Sequence, residues 1–262
     1  MDDIFTSVLA NADYFILLLF RMAGLVVPSP VFGRVNVPSS VKVGLAVSLT
    51  MMAFYYYPAG AAIEYQSLIG FLLVCAGELL LGIAMAFATN MFFALAFTGG
   101  QLIDMQIGFG IVNVYDQQNS TQVPMIGNVY NILLLIIFWG VDGHHRLIAM
   151  LFGTLKTLPV GHVLMSPAIG TAALEIFCKS FLLGVQVALP VVASGLIIEF
   201  CFGALMRTVP QLNMFVVGMP IKLMIGLLLL LITVPAFIAF SGTIFDQMYN
   251  AVDQMFGMFY AA

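Results

Sequence analysis

GGQLIDMQIGFGIVNV, residues 99–114, sets four glycines, two glutamines and an aspartate between two long apolar runs. The rest of the chain makes that interruption conspicuous. Of 262 residues, 62% are hydrophobic and 8% are charged, with a mean hydropathy of +1.10. Soluble domains are about 25% charged, so this chain lacks the polar surface to cover itself in water. It belongs in lipid, or with most of its exterior against other subunits. The net charge of −4 and the scattered distribution of eight basic residues exclude a basic nucleic-acid patch.

Six apolar segments surround the stretch, at about 14–27, 41–57, 67–97, 124–141, 170–206 and 213–240. A helix needs about 20 apolar residues to cross roughly 30 Å of hydrocarbon. The first segment is short and leads into the proline-punctuated loop PSPVFGRVNVPSS, residues 28–40. The third and fifth are too long for one straight crossing, and Pro190 is expected to bend the fifth. Residues 99–123 read as a loop. The fold class is all-α: a membrane-type protein of long broken or bent helices and helical hairpins. Cys75, Cys178 and Cys201 sit in apolar runs without metal-ligand spacing and read as small buried hydrophobes. The acidic N-terminal stretch lacks the basic region of a secretory signal.

Charge placement tests orientation. Arg21, Arg34, Lys42, Arg207 and Lys222 on one side, and Glu64, Asp246 and Asp253 on the other, agree with six crossings and both ends outside. The centre disagrees, because 99–123 carries Asp104 and Asp116 without a basic residue, while 142–168 carries Arg146 and Lys156. Either the central helices do not cross as ordinary spans, or the protein is not inserted in the ordinary way. Small residues form stripes at Gly70, Gly77, Ala84 and Ala88, and at Gly184, Ala188 and Gly195. They are expected to be packing faces, against the same chain or another.

No catalytic constellation, phosphate loop or cofactor motif is present in the sequence. Adjacent His144 and His145 lack a metal-binding pattern; they are expected to cap the helix ending near Trp139 or to sit at the headgroup boundary. Glu78, Asp104, Glu199 and Lys222 lie in or beside apolar segments, where a charge costs about 2.5–3.5 kcal/mol. They are candidates for a water-filled route, a polar neighbour or a subunit contact, with Lys222 also able to snorkel from a helix end. In the central stretch, Gly99, Gly100, Gly108 and Gly110 permit turns and close backbone approach. Gln101, Asp104 and Gln106 can serve exposed amides, because irregular backbone at membrane depth survives only inside protein or along an aqueous cavity. Phe109, between two glycines, is either a movable apolar plug or a packed core side chain. A small secondary transporter or ion channel with a broken-helix site is the alternative function, although no internal repeat supports it.

Three signatures, GGQLIDMQIGFGIVNVYD (99–116), VDGHHRLI (141–148) and RTVPQLNMFVVGMPIKL (207–223), resemble the FliR family of flagellar export-gate proteins. They are also similar to the SpaR and YscT proteins of virulence-type secretion. The resemblance covers essentially the whole chain. It implies a non-enzymatic subunit of a helical, pore-forming assembly in the inner membrane, at the flagellar basal body. That assembly contains P and Q components (FliP and FliQ), with the switch component FlhB at its base, and unfolded flagellar proteins pass through it. Much of it is raised toward the periplasm. The resemblance further implies a P-like part over 1–165 and a Q-like hairpin with a tail over 166–262. It makes the loop around Gly108, Phe109 and Gly110 the closed channel's plug, and the turn with Arg207, Pro210, Gln211 and Asn213 the cytoplasmic entrance. Gln117 replaces a proline common in relatives, and Asp142 replaces a neutral residue. No cofactor or metal is implied.

Overall fold

The computed structural model describes residues 7–57, 67–109, 124–208 and 214–261. Helices dominate: α1 Ala12–Val26, α2 Ser39–Tyr56, α3 Leu68–Ile107, α4 Met125–Gly140, α5 Gly143–Thr157, α6 Ile169–Thr208 and α7 Met214–Phe256. Two short strands, β1 Val163–Met165 and β2 Phe259–Ala261, pair antiparallel and tie the C-terminal tail to the α5–α6 connection.

The helix ends follow local chemistry. Pro38 precedes α2, where its missing N–H costs nothing. The Ser67 hydroxyl accepts from Gly70 N at the start of α3, and Asp13 lies in the first turn of α1, where a carboxylate meets the positive end of the helix dipole. Inside the helices, hydroxyls turn back on their own backbone: Thr89 donates to Met85 O at 3.0 Å, and Thr233 to Leu230 O at 3.0 Å. That local bond satisfies a polar group where no water is at hand.

Helix length is the decisive dimension. The α3 and α6 helices have 40 residues each and α7 has 43. At 1.5 Å per residue each is about 60 Å long, twice the roughly 30 Å hydrocarbon core. The six crossings that part of the charge pattern allows are not matched by the helices: among the described residues three are long and apolar enough to span, or four if α4 and α5 form one broken span. The 15 residues of α1 reach only about 22 Å. The α6 helix passes through Pro190, and α7 through Pro220 and Pro235, as single elements.

Residue contacts divide the chain into two interleaved units. Unit 1 comprises Met1–Met91, Asp142–Ile176 and Asp246–Ala262, and unit 2 comprises Phe92–Val141 and Phe177–Phe245. In unit 1, Gly24 of α1 and Gly82 of α3 touch backbone to backbone: a methyl at Gly24 would stand 2.6 Å from Leu79 O and 2.9 Å from Gly82 Cα. Leu17, Leu18, Met22 and Leu25 are fully buried there. In unit 2, Phe93 and Phe138 meet edge to face, and Tyr130 stacks on Phe237 at 4.4 Å.

Much apolar surface stays outside. Only 28% of the apolar window in α6 and 17% of that in α7 are buried by the rest of the chain. Leu182, Ile197 and Phe200 of α6, and Met224, Leu228 and Leu231 of α7, are more than half exposed. Cys178 and Cys201 are exposed as well, contrary to the expectation of burial, because they lie on α6; Cys75 is buried.

Candidate functional site

The central stretch is helical further than its composition suggests. Residues 99–107 continue α3 and do not form a loop. Gly99 and Gly100 therefore make no turn. They make close helix approach, the other use foreseen for them. A methyl at Gly99 would lie 2.7 Å from Gly184 O, and one at Gly100 would overlap the Gly127 backbone. Gly184 also sits against Leu95 O, so the small-residue stripe of α6 packs on α3 inside this chain. On the α3 stripe, Ala84 and Ala88 are buried, but Gly77 has only an ordinary contact with Val163 O. The tight contact in that region is made by Gly82, off the stripe.

Asp104 is 3% exposed, and both its carboxylate oxygens lie 3.3 Å from Ile126 N. The α4 helix starts after Pro124, which provides no side-chain cap. A carboxylate from α3, 22 residues earlier, thus caps the first turn of α4 and meets its positive dipole end. Beyond it, Ile107 fills the space at Gly226 of α7, where a methyl would come within 2.7 Å of Ile107 Cγ1. Gly108 ends the helix with φ 102°, a conformation that favours glycine, and its N–H returns to Asp104 O at 3.1 Å.

The other polar residues of the stretch separate. Gln101 is exposed. Gln106 lies against Gly195, and its Nε2 is buried with no acceptor among the described residues. Phe109 is half-buried directly after Gly108. Gly110 lies outside the described residues, as do Pro210, Gln211 and Asn213. Arg207 is exposed in the last turn of α6, where a cation suits the helix C-terminus.

The remaining candidate charges, Glu78, Glu199 and Lys222, are paired within the chain. Arg21 and Glu78 are both fully buried in unit 1. Arg21 Nε donates to Glu78 Oε2 at 2.5 Å and Nη2 to Oε1 at 3.1 Å. Arg21 Nη1 reaches Leu158 O at 3.1 Å and Thr154 Oγ1 at 3.3 Å, while Gly161 N donates to Glu78 Oε1 at 2.8 Å. One network thus joins α1, α3, the end of α5 and the turn after it. Charge-assisted, bidentate pairing is what makes this burial tolerable. Sequence reasoning used Arg21 only for orientation and missed it as a partner. The available signal was two lone charges of opposite sign, each inside an apolar helix.

In unit 2, Lys222 of α7 pairs with Glu199 of α6. Lys222 lies eight residues beyond the start of α7, so its partner is a carboxylate on the adjacent helix and it does not snorkel from an end. Glu199 remains 45% exposed. The histidine pair, expected to cap the helix ending near Trp139 or to sit at the headgroup boundary, lies in the first turn of α5, with ring centroids 4.0 Å apart.

Comparison with known proteins matches residues 12–248 to the family described as Bacterial export proteins, family 1. The flagellar biosynthetic protein FliR of Bacillus subtilis (strain 168) is 31% identical, over 83% of this chain and 85% of its own length. FliR of Escherichia coli (strain K12) is 29% identical over 88% of each. Yop proteins translocation protein T of Yersinia pestis is 30% identical over 69% of this chain and 71% of its own. A helical chain with long apolar helices, aligned over nearly its whole length, belongs to the family 1 bacterial export proteins.

Proposed function

We propose that this chain is the R-type subunit of a flagellar type III export gate. It joins the P and Q components, FliP and FliQ, around a channel through which unfolded flagellar proteins cross the inner membrane, with FlhB at the base. The observation that carries this reading is the uncovered apolar surface of α6 and α7. Lipid covers roughly 30 Å of a helix, and these helices are about 60 Å long. The rest of their apolar length needs protein neighbours. Helices that outrun the bilayer suit an assembly raised toward the periplasm, and they account for a charge pattern that violates ordinary topology.

In this reading Asp104 and the glycine contacts fix the end of α3, and Gly108 releases the chain at Phe109. Phe109 and Gly110 then serve as the plug, with Gln101 and Gln106 beside them. Arg207 and the turn with Pro210, Gln211 and Asn213 face the cytoplasmic entrance. Residues 1–165 act as the P-like part and 166–262 as the Q-like hairpin and tail. The subunit is non-catalytic.

Co-purification in mild detergent tests the assignment. The chain, produced with P- and Q-type partners, is expected to elute with both in one complex and to aggregate without them. A monodisperse chain that ignores both partners would overturn it.

A further inference from the structure

We propose that Asp142, His144 and His145 form a binding site for a divalent transition-metal ion of the zinc class. The three residues each offer one ligand atom, and these atoms lie within 4.8 Å of one another. Zinc holds imidazole nitrogen and carboxylate oxygen at about 2.0–2.2 Å in tetrahedral geometry, which separates neighbouring ligand atoms by about 3.4 Å. The 3.2 Å from His145 Nδ1 to Asp142 Oδ1 already fits that spacing. The His144 and His145 ring centroids are 4.0 Å apart, and binding an ion would draw the ligand atoms from within 4.8 Å to that spacing.

The local backbone explains how adjacent histidines come to share a site with an aspartate. Asp142 precedes α5 in the left-handed region, at φ 56°, the one non-glycine residue with positive φ among the described residues. Aspartate tolerates that conformation better than most side chains. From there its carboxylate faces His145, three residues on, in the first turn. Gly143 is buried and its carbonyl accepts from Tyr249 Oη at 3.3 Å, which holds the turn in place. The nearby cation does not compete. Arg146 lies over the Tyr249 ring at 4.0 Å and 3.8 Å from Asp246.

Ligand type decides the class of ion. Calcium and magnesium prefer oxygen ligands, whereas two imidazoles with one carboxylate favour zinc, nickel, cobalt or copper. Asp142 and His145 are about three-quarters exposed, so an ion can enter from solution. Three protein ligands leave a fourth position for water or for a side chain of a neighbouring protein.

The test is zinc titration by calorimetry of the full-length chain, co-produced with its partners and held as that complex in lipid nanodiscs, stripped with chelator and carrying no histidine tag. It reads metal alone, so its outcome is independent of export. One saturable zinc per chain is expected. H144A and H145A should each weaken binding at least about tenfold. D142N keeps a residue suited to the left-handed turn and should weaken binding similarly, with an unchanged melting temperature in chelator. H162A, which removes the remaining histidine, should bind as wild type. Absence of saturable binding in wild type overturns the site. So does undiminished binding in H145A or D142N, or loss of binding in H162A.

Discussion

Glu78→Ala tests the buried network of unit 1 directly. The substitution removes two bonds to Arg21 and the acceptor of Gly161 N–H, and it strands a guanidinium that is 0% exposed. Breaking a buried ion pair by deleting one partner costs about 3–5 kcal/mol. For a chain of this size each kcal/mol lowers the melting temperature by about 2–4 °C, so the expected drop is roughly 6–20 °C. Replacing both partners, Arg21→Met with Glu78→Leu, removes the stranded charge as well as the pair. Apolar replacement of a buried pair is often neutral. Gly161 N loses its acceptor in both variants, and the double variant alone orphans Leu158 O, at about 1–3 kcal/mol, less than the stranded guanidinium that it relieves. The double variant should therefore melt above Glu78→Ala but below wild type. The assay is thermal unfolding of the solubilised gate complex across the double-mutant cycle. A Glu78→Ala protein that melts like wild type would refute the reasoning, as would a double variant whose loss equals the sum of the singles.

Asp104→Ala should cost about 0.5–2 kcal/mol through loss of the α4 cap, whereas Asp104→Asn, still a good capping residue, should cost little; the melting temperatures of the two variants check this. Gly100→Ala drives a methyl into the Gly127 backbone and should destabilise by about 1–3 kcal/mol. Gly140→Ala meets open space and should stay within about 0.5 kcal/mol of wild type, as the same melts will report. Phe109→Ala should raise passive leakage of small ions through the assembled gate in vesicles, and unchanged leakage would place Phe109 as a packed side chain.

The long apolar runs were legible because hydrophobic length is a local property. The all-α class followed from them, and the ends of α1, α2, α4 and α6 fell within two residues of the segments read. The end of α3 was misread. Gly99 and Gly100 each cost a helix about 1 kcal/mol relative to alanine, which argues for a loop. Packing against Gly184 and Gly127, far along the chain, outweighs that cost. The role of Asp104 was hidden for the same reason, since its partner Ile126 lies in another helix. Arg21 and Glu78 are 57 residues apart, beyond any periodicity, and only a count of lone opposite charges would have joined them. The 16 residues of α7 beyond position 240 include Asp246 and Asp253, which read as a polar tail, yet they continue the helix.

Imaging the chain within its co-produced complex by electron cryomicroscopy is the most direct test of the claim that its apolar helices are a wedge in a shared tunnel. The account predicts density in which Phe109 faces a central axis and neighbouring protein covers the outer faces of α6 and α7 beyond the roughly 30 Å that lipid or detergent covers. Phe109 surrounded by acyl chains, with α6 and α7 bare of protein beyond that belt, would contradict it.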